Sequence, residues 1–103
     1  MKHLEKHTEE KFVAWCQANK WECLKLRIDG QNGFPDRTVI TPWGVFFVEF
    51  KRTANDALRP RQQFWQNCLE ELRQYCIVHH DLDEIIALAT KHVYSIGGEL
   101  CQD

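Results

Sequence analysis

The spacing of apolar residues changes between helical and alternating along the chain, which predicts seven elements in the order α-β-β-β-α-β-α. Residues 4–19 repeat apolar positions at a period near 3.6, as a helix packed on one side does. Residues 21–28 alternate as a strand does. Residues 37–41 and 45–51 are rich in β-branched and aromatic side chains and flank a short TPWG turn, so they are predicted to form a hairpin.

The second half of the chain continues with a helix, a strand and a helix. Pro60 suits the first turn of a helix, residues 75–80 predict a strand, and Asp81 with Glu84 resembles a capping box that opens the last helix. Residues 92–103 are ambiguous between an edge strand and a dimer-forming tail. The predicted stripes of the three helices are Leu4, Thr8, Phe12, Trp15 and Cys16; Phe64, Trp65, Cys68, Leu69 and Leu72; and Leu82, Ile85, Ile86 and Ala89.

Length and composition indicate one globular domain over residues 1–103, for which dimerisation is a natural way to bury more apolar surface. The net charge of −2 excludes nucleic-acid binding by bulk positive charge and leaves a local basic groove possible. No secretory signal or membrane-spanning run is found, so we expect a cytoplasmic protein without a membrane partner. The five cysteines lack CxxC spacing, so we interpret them as buried thiols.

Two charged residues in the third predicted strand, Glu49 and Lys51, suggest a site, because strand interiors disfavour both. If the hairpin turns between Pro42 and Trp43, Asp36 stands opposite Glu49, and opposed carboxylates repel unless a cation lies between them. Oxygen ligands of this kind suit Mg²⁺ or Mn²⁺, and Lys51 shares the face of Glu49. Pro42 does not suit the turns that short hairpins prefer, and a slip of one residue would separate the acids.

A third acidic ligand is predicted on the first helix. At about 100° per residue, Glu9 lies roughly 60° from Phe12 on the buried side, whereas Glu10 lies on the solvated side. Glu5, one turn earlier, is the reserve candidate. Each acid also has an ordinary interpretation: Asp36 as a turn residue, Glu49 as half of an ion pair with Lys51, and Glu9 as a solvated acid.

The segments GFPDRTVI and VFFVEFKR together resemble the PD-(D/E)xK nuclease signature, here Pro35-Asp36 and Glu49-Phe50-Lys51. The continuation RPRQQFW at residues 59–65, followed by YCIV, is similar to the virus-type replication-repair nuclease (VRR-NUC) family, and the match spans roughly residues 9–86. The chain departs from the family pattern at Arg59, which replaces a small hydroxyl residue and deprives the helix of a good N-cap, and at Phe50, which replaces leucine.

The resemblance implies an α/β fold, a restriction-endonuclease-like αβββαβ core with a mixed sheet flanked by helices. It also implies a divalent-metal nuclease with Mg²⁺ or Mn²⁺ and no organic cofactor. The implied metal ligands are Asp36, Glu49 and the Phe50 carbonyl, with Glu9 as the helix acid. Lys51 is the implied catalytic lysine, and Gln62 matches a glutamine beside the active site. Stand-alone members of the family look like homodimeric resolvases of four-way (Holliday) junctions, with roles in DNA repair and recombination.

A basic cluster beside the predicted site provides candidate DNA contacts, although ordinary solvated surface is an equally good interpretation of each residue. The leading hypothesis is a homodimeric endonuclease that nicks DNA four-way junctions. The alternatives are a flap or restriction-like nuclease on the same fold, and a DNA-binding module without catalysis, against which the intact acid-acid-lysine set argues. The candidate DNA-binding residues are Arg37, Arg52, Arg59 and Arg61.

Overall fold

The computed structural model describes the backbone of residues 2–101 and the side chains of residues 6–101. Its element order is the predicted one, with α1 Lys2–Ala18, β1 Glu22–Leu24, β2 Arg37–Thr41, β3 Gly44–Phe50, α2 Pro60–Glu71, β4 Cys76–His79 and α3 Leu82–Ser95. The predicted positions Leu4 and Glu5 lie outside the described side chains. Within the described residues, no helix combines the length and apolarity needed to cross a bilayer.

The four strands form one mixed sheet in the order β1-β2-β3-β4. The first three strands pair antiparallel and β4 pairs parallel to β3, with α2 as the crossover between them. Parallel neighbours require such a crossover, because a tight turn can only reverse the chain. The α/β architecture and mixed sheet predicted from the sequence are therefore confirmed.

Alternation along β3 divides its side chains between two layers. Phe46, Val48 and Phe50 lie on the face packed by α1 and α3, where Phe50 meets Phe12 edge to face. Phe47 lies on the opposite face, which α2 covers in part. Burial of the core provides most of the driving force for folding. The fully or nearly buried apolar core comprises Phe12, Cys16, Trp21, Val39, Phe46, Val48, Phe50, Ile77, Ile85, Ala89 and Val93.

The first strand is shorter than the predicted span of residues 21–28. Leu24 pairs with Thr38, which is the second residue of β2, so little of β2 remains for a longer strand to pair with. Farther along, Ile28 forms only an isolated bridge with Gln31. The alternating pattern of residues 21–28 thus predicts a strand that is longer than the part of it paired in the sheet.

Within the described part of residues 92–103, the predicted edge strand is wrong, whereas the alternative of a dimer-forming tail stays a prediction. Residues 92–95 complete α3, because its helical periodicity continues through the buried Val93. The chain then turns at Ile96 and Gly97, and an added Cβ at the following Gly98 would collide with the Trp43 ring. The Cys101 amide finally donates a hydrogen bond to Asn19 Oδ1 at 2.8 Å, which fixes this segment against the end of α1.

The predicted stripe of α2 is only partly buried. Leu69 and Trp65 face the protein, whereas the Phe64 and Leu72 side chains are 44% and 69% exposed. The helix contacts the sheet mainly near β4, so its buried side is narrow. A helical apolar pattern predicts which side of a helix faces the protein, but it does not predict how much of that side its neighbours cover.

Candidate active site

The β2–β3 hairpin brings the two predicted acids together. Its ladder runs from Thr41 opposite Gly44 to Arg37 opposite Val48, which is the register predicted from the sequence. One step farther, the Asp36 amide donates a hydrogen bond to Glu49 Oε1 at 3.2 Å, and the Phe50 amide donates to Asp36 Oδ2 at 2.9 Å. Each carboxylate is thus held by the backbone next to the other acid.

Gln62 connects this acid pair to the start of α2. Its Nε2 donates to Glu49 Oε2 at 2.8 Å, while its Oε1 accepts a hydrogen bond from the Arg59 amide at 2.7 Å. The second bond satisfies a backbone donor that a helix N-terminus leaves without an intrahelical partner. Arg59 itself has no side-chain acceptor, so Gln62 supplies the cap that the sequence at Arg59 lacks and orients Glu49 at the same time.

Burial and a nearby like charge disfavour the ionised forms of the acid pair. Glu49 is 3% exposed. Burial raises the pKa of Asp36 above its ordinary value, and the nearby Glu9 charge adds to that shift, while the Phe50 amide, Lys25 and Arg37 oppose it. Burial together with the Glu49 and Asp36 charges also raises the pKa of Cys76 to about 12. Partly desolvated negative charge of this density favours a bound cation.

A cleft of about 370 Å³ opens beside Glu49 and includes the predicted catalytic lysine. The Lys51 Nζ donates to the Ala54 carbonyl at 3.3 Å, and its backbone amide continues the pairing of β3 with the His79 carbonyl at 2.9 Å. The ammonium is therefore at the cleft wall, beyond the end of the strand. The cleft is lined by Glu49, Phe50, Lys51, Arg52, Asp56, Ala57, Leu58, Arg59 and Gln62.

The predicted helix ligand Glu9 is engaged in ion pairs. Its Oε2 accepts from Arg37 Nε at 2.7 Å and from Lys25 Nζ at 3.3 Å, and its side chain is 12% exposed. The helical wheel correctly places Glu9 on the side facing the protein and Glu10 in solvent. Within residues 6–101, no group of three or more His, Cys, Asp and Glu side chains is arranged to hold a metal ion. Metal ligation by Glu9 stays a prediction.

Two of the four candidate DNA-binding arginines form ion pairs within the protein. Arg37 donates to Glu9 and also, at 3.3 Å, to the Cys23 carbonyl. Arg52 pairs with Asp56 at 3.4 Å, and the backbone amide of Arg52 donates to the same carboxylate. The role of Arg37 in holding Glu9 is not visible in the sequence, because the two residues are far apart in the chain and meet after α1 has packed on the sheet.

The other two arginines lie at the start of α2. Arg59 is exposed at the cleft, and the exposed Arg61 donates to Gln31 Oε1 at 3.1 Å. These two guanidinium groups lie closer to solvent than Arg37, whose side chain is 20% exposed. Contact of any of the four arginines with DNA stays a prediction.

The loop that precedes Asp36 packs against α2. Gly33 adopts φ +84°, and a Cβ there would lie 2.6 Å from the Arg61 backbone, so only glycine fits without displacement. Phe34 contacts both Phe47 and Trp65 edge to face, and the Trp65 indole donates to the Asn32 carbonyl at 3.1 Å. The loop and helix therefore fix the position of Asp36 from outside the hairpin.

Comparison with solved structures agrees with this architecture. One solved structure described as a VRR_NUC domain superposes with a TM-score of 0.77 at 24% identity, covering 84% of this chain and 94% of that chain. The chain thus has the α/β fold of a VRR_NUC domain, as the resemblance implied. No protein-family model matches the sequence. No curated protein matches it either.

Proposed function

We propose that this chain is a VRR-NUC nuclease that hydrolyses phosphodiester bonds of branched DNA with Mg²⁺ or Mn²⁺, acting on four-way junctions as a homodimer. The observation that carries the proposal is the contact of Asp36 and Glu49, each held by a backbone amide beside the other. A fold needs no such pair of partly desolvated acids for stability, because burying charge without a counter-charge is costly. The similarity to a solved VRR_NUC domain supports the same interpretation.

The donor set fits a hard divalent cation. Asp36, Glu49 and the Phe50 carbonyl offer oxygen atoms, which Mg²⁺ and Mn²⁺ prefer, and Mg²⁺ commonly takes only one or two protein carboxylates beside water and substrate oxygens. Burial, with a smaller contribution from the Glu9 charge, raises the pKa of Asp36, and a bound cation would favour its ionised form. When bound, the ion supplies polarisation of a phosphoryl oxygen and acidification of a water molecule.

The side chains around the acid pair orient Glu49 and offset negative charge on the bound phosphates. Gln62 restricts the Glu49 carboxylate to one orientation through its 2.8 Å hydrogen bond. Lys51 lines the same cleft and brings a positive charge that can offset negative charge developing on the phosphate. Arg59 and Arg61, exposed at the start of α2, are suited to hold the flanking phosphates. We therefore assign catalysis to Asp36, Glu49, Lys51 and Gln62.

A panel of labelled substrates tests the reaction and its selectivity together. A four-way junction, a flapped duplex and a linear duplex are incubated with the protein in Mg²⁺, in Mn²⁺ or in EDTA. We expect metal-dependent nicking with preference for the junction, and loss of nicking with retained junction binding in Asp36→Ala and Glu49→Ala. The matched control is Asp83→Asn, which removes an exposed acid on α3 outside the cleft.

The outcomes separate the parts of the proposal. Cleavage that survives in both acid variants would remove the assigned site, and binding without cleavage by the wild type would identify a DNA-binding module. Preference for the flap or the linear duplex would replace the junction as substrate. Light scattering at micromolar concentration should give a dimer, and a monomer that still cuts both junction strands together would contradict symmetric incision.

A further inference from the structure

We propose that Arg61 and Phe64 form a stacking platform for an unpaired nucleobase of the bound DNA, beside the proposed active site. The inference rests on the proposed function and deepens it, since it assigns a feature of the substrate. A nucleotide that lacks a pairing partner, as at a branch or a frayed end, would place its base on this platform. The strand would then be held at two points, by its phosphates near the cleft and by the stacked base.

The platform consists of two planar groups fixed against each other. The Arg61 Cζ lies 4.3 Å from the centre of the Phe64 ring, a cation–π contact, and the same guanidinium donates to Gln31 Oε1 at 3.1 Å. Phe64 remains 44% exposed, and its ring also meets Trp65 edge to face. Both groups are therefore oriented by the protein while part of their surface stays open to solvent.

The surroundings of the platform are rigid and polar. The close approach of Gly33 to the Arg61 backbone fixes the preceding loop against the first turn of α2. Together they border an open cleft of about 660 Å³, lined by Gly30, Gln31, Asn32, Arg61 and Phe64. The exposed side-chain amides of Gln31 and Asn32 carry both donors and acceptors, which is what the edge of a nucleobase requires.

Stacking chemistry favours a nucleobase as the occupant. Unpaired bases stack on exposed aromatic rings and on arginine guanidinium planes, and every base offers a π-face. The charges of Arg59 and Arg61 complement the phosphates of the same strand. Leu72, the residue that directly follows α2, is 69% exposed and is neither aromatic nor a member of the platform, so it is the control.

Of two adjacent residues of α2, one belongs to the platform and the other contacts the acid pair. Arg61 precedes Gln62, and the two side chains leave the first turn of α2 in different directions, toward the platform and toward Glu49. The platform therefore lies on a neighbouring side of the same helical turn as the residue that holds Glu49.

Binding experiments in EDTA, where cleavage is stopped, test the platform. The probes are a blunt duplex and the same duplex carrying a short single-stranded overhang that contains the fluorescent base 2-aminopurine. We expect the wild type to prefer the overhang and to quench its fluorescence. Phe64→Ala should weaken overhang binding roughly 5- to 100-fold, and Arg61→Lys, which keeps the charge and loses the plane, should also reduce quenching. Phe64→Trp should retain both properties, and Leu72→Ala should match the wild type.

Each outcome decides the proposal. Equal overhang binding and quenching by the wild type and Phe64→Ala would overturn the platform while leaving the nuclease proposal intact, provided that both proteins nick DNA with Mg²⁺. Absence of binding to both probes by a wild type that still nicks the four-way junction would overturn the platform alone. A thermal melt of each variant shows whether a lost signal reflects unfolding, and Phe64→Trp, if folded, must still bind the overhang for the platform to stand.

Discussion

The Asp36 amide donates a hydrogen bond to the Glu49 carboxylate, so the register of the hairpin determines whether the two acids lie together. A slip of one residue would turn one of the two side chains to the other face of the sheet. The register is fixed by the short turn after Thr41, whose hydroxyl donates to the Gly44 carbonyl at 2.9 Å and accepts from the Trp43 amide at 3.2 Å. Turn geometry at one end of the hairpin thus determines the acid pair at the other end.

Replacement of Gln62 by alanine should impair both stability and cleavage. The variant loses the bond to the Arg59 amide and the bond to Glu49, so we expect a loss of about 1 kcal/mol in the free energy of unfolding. Cleavage should slow by roughly 10- to 100-fold, as is common when a residue orienting a metal ligand is removed. Gln63→Ala is the control, because the Gln63 side chain is exposed and donates to Asn67 within the same helix, away from Glu49. Equal cleavage rates for the two variants would contradict the assigned role of Gln62.

Replacement of Asp36 by asparagine should abolish cleavage without lowering the melting temperature. Asparagine keeps an oxygen that accepts from the Phe50 amide, and it removes a charge that burial disfavours. In EDTA the melting temperature should therefore equal or exceed that of the wild type, while cleavage in Mg²⁺ falls by at least about 100-fold. A lower melting temperature with retained cleavage would show that Asp36 is a structural turn residue.

Two threonines of β2 should respond oppositely to replacement by valine. Thr38 Oγ1 is buried and has no hydrogen-bond partner within the part of the chain that the structure describes. Thr38→Val should therefore stabilise the fold or leave it unchanged. Thr41→Val removes both turn hydrogen bonds and should destabilise it by about 1–2 kcal/mol. Denaturant unfolding of the two variants checks the difference, and a similar change in both would contradict the assigned hydrogen bonding.

His92 on α3 should make the free energy of unfolding depend on pH. The His92 ring stacks on Tyr75 at 4.4 Å and contacts Phe46, and burial lowers its pKa below the ordinary value of about 6.5. The folded state then binds fewer protons than the unfolded state, so this contribution is present above pH 6.5 and is lost as the pH falls through the folded pKa. His92→Phe keeps an aromatic ring without the charge and should flatten the decline in melting temperature below pH 6.5. An unchanged slope would exclude His92 as its source.

The sequence predicted the parts of the fold and site that depend on local pattern. The hairpin register followed from the position of its turn, and the proximity of Gln62 to Glu49 followed from the family resemblance together with the stripe of α2. The ion pair of Glu9 with Arg37 could not be predicted, because it requires α1 to be placed over the sheet. The exposure of Phe64 was also missed, since apolar periodicity does not reveal how much of a helix its neighbours cover.

If Asp36 and Glu49 bind one divalent ion together, a calorimetric titration with Mn²⁺ will detect that ion. We expect binding near one equivalent per chain by the wild type and by the Asp83→Asn control. We also expect at least a tenfold loss of affinity in both Asp36→Asn and Glu49→Gln. Wild-type affinity in either of these two variants, with the fold intact, would contradict a shared ion.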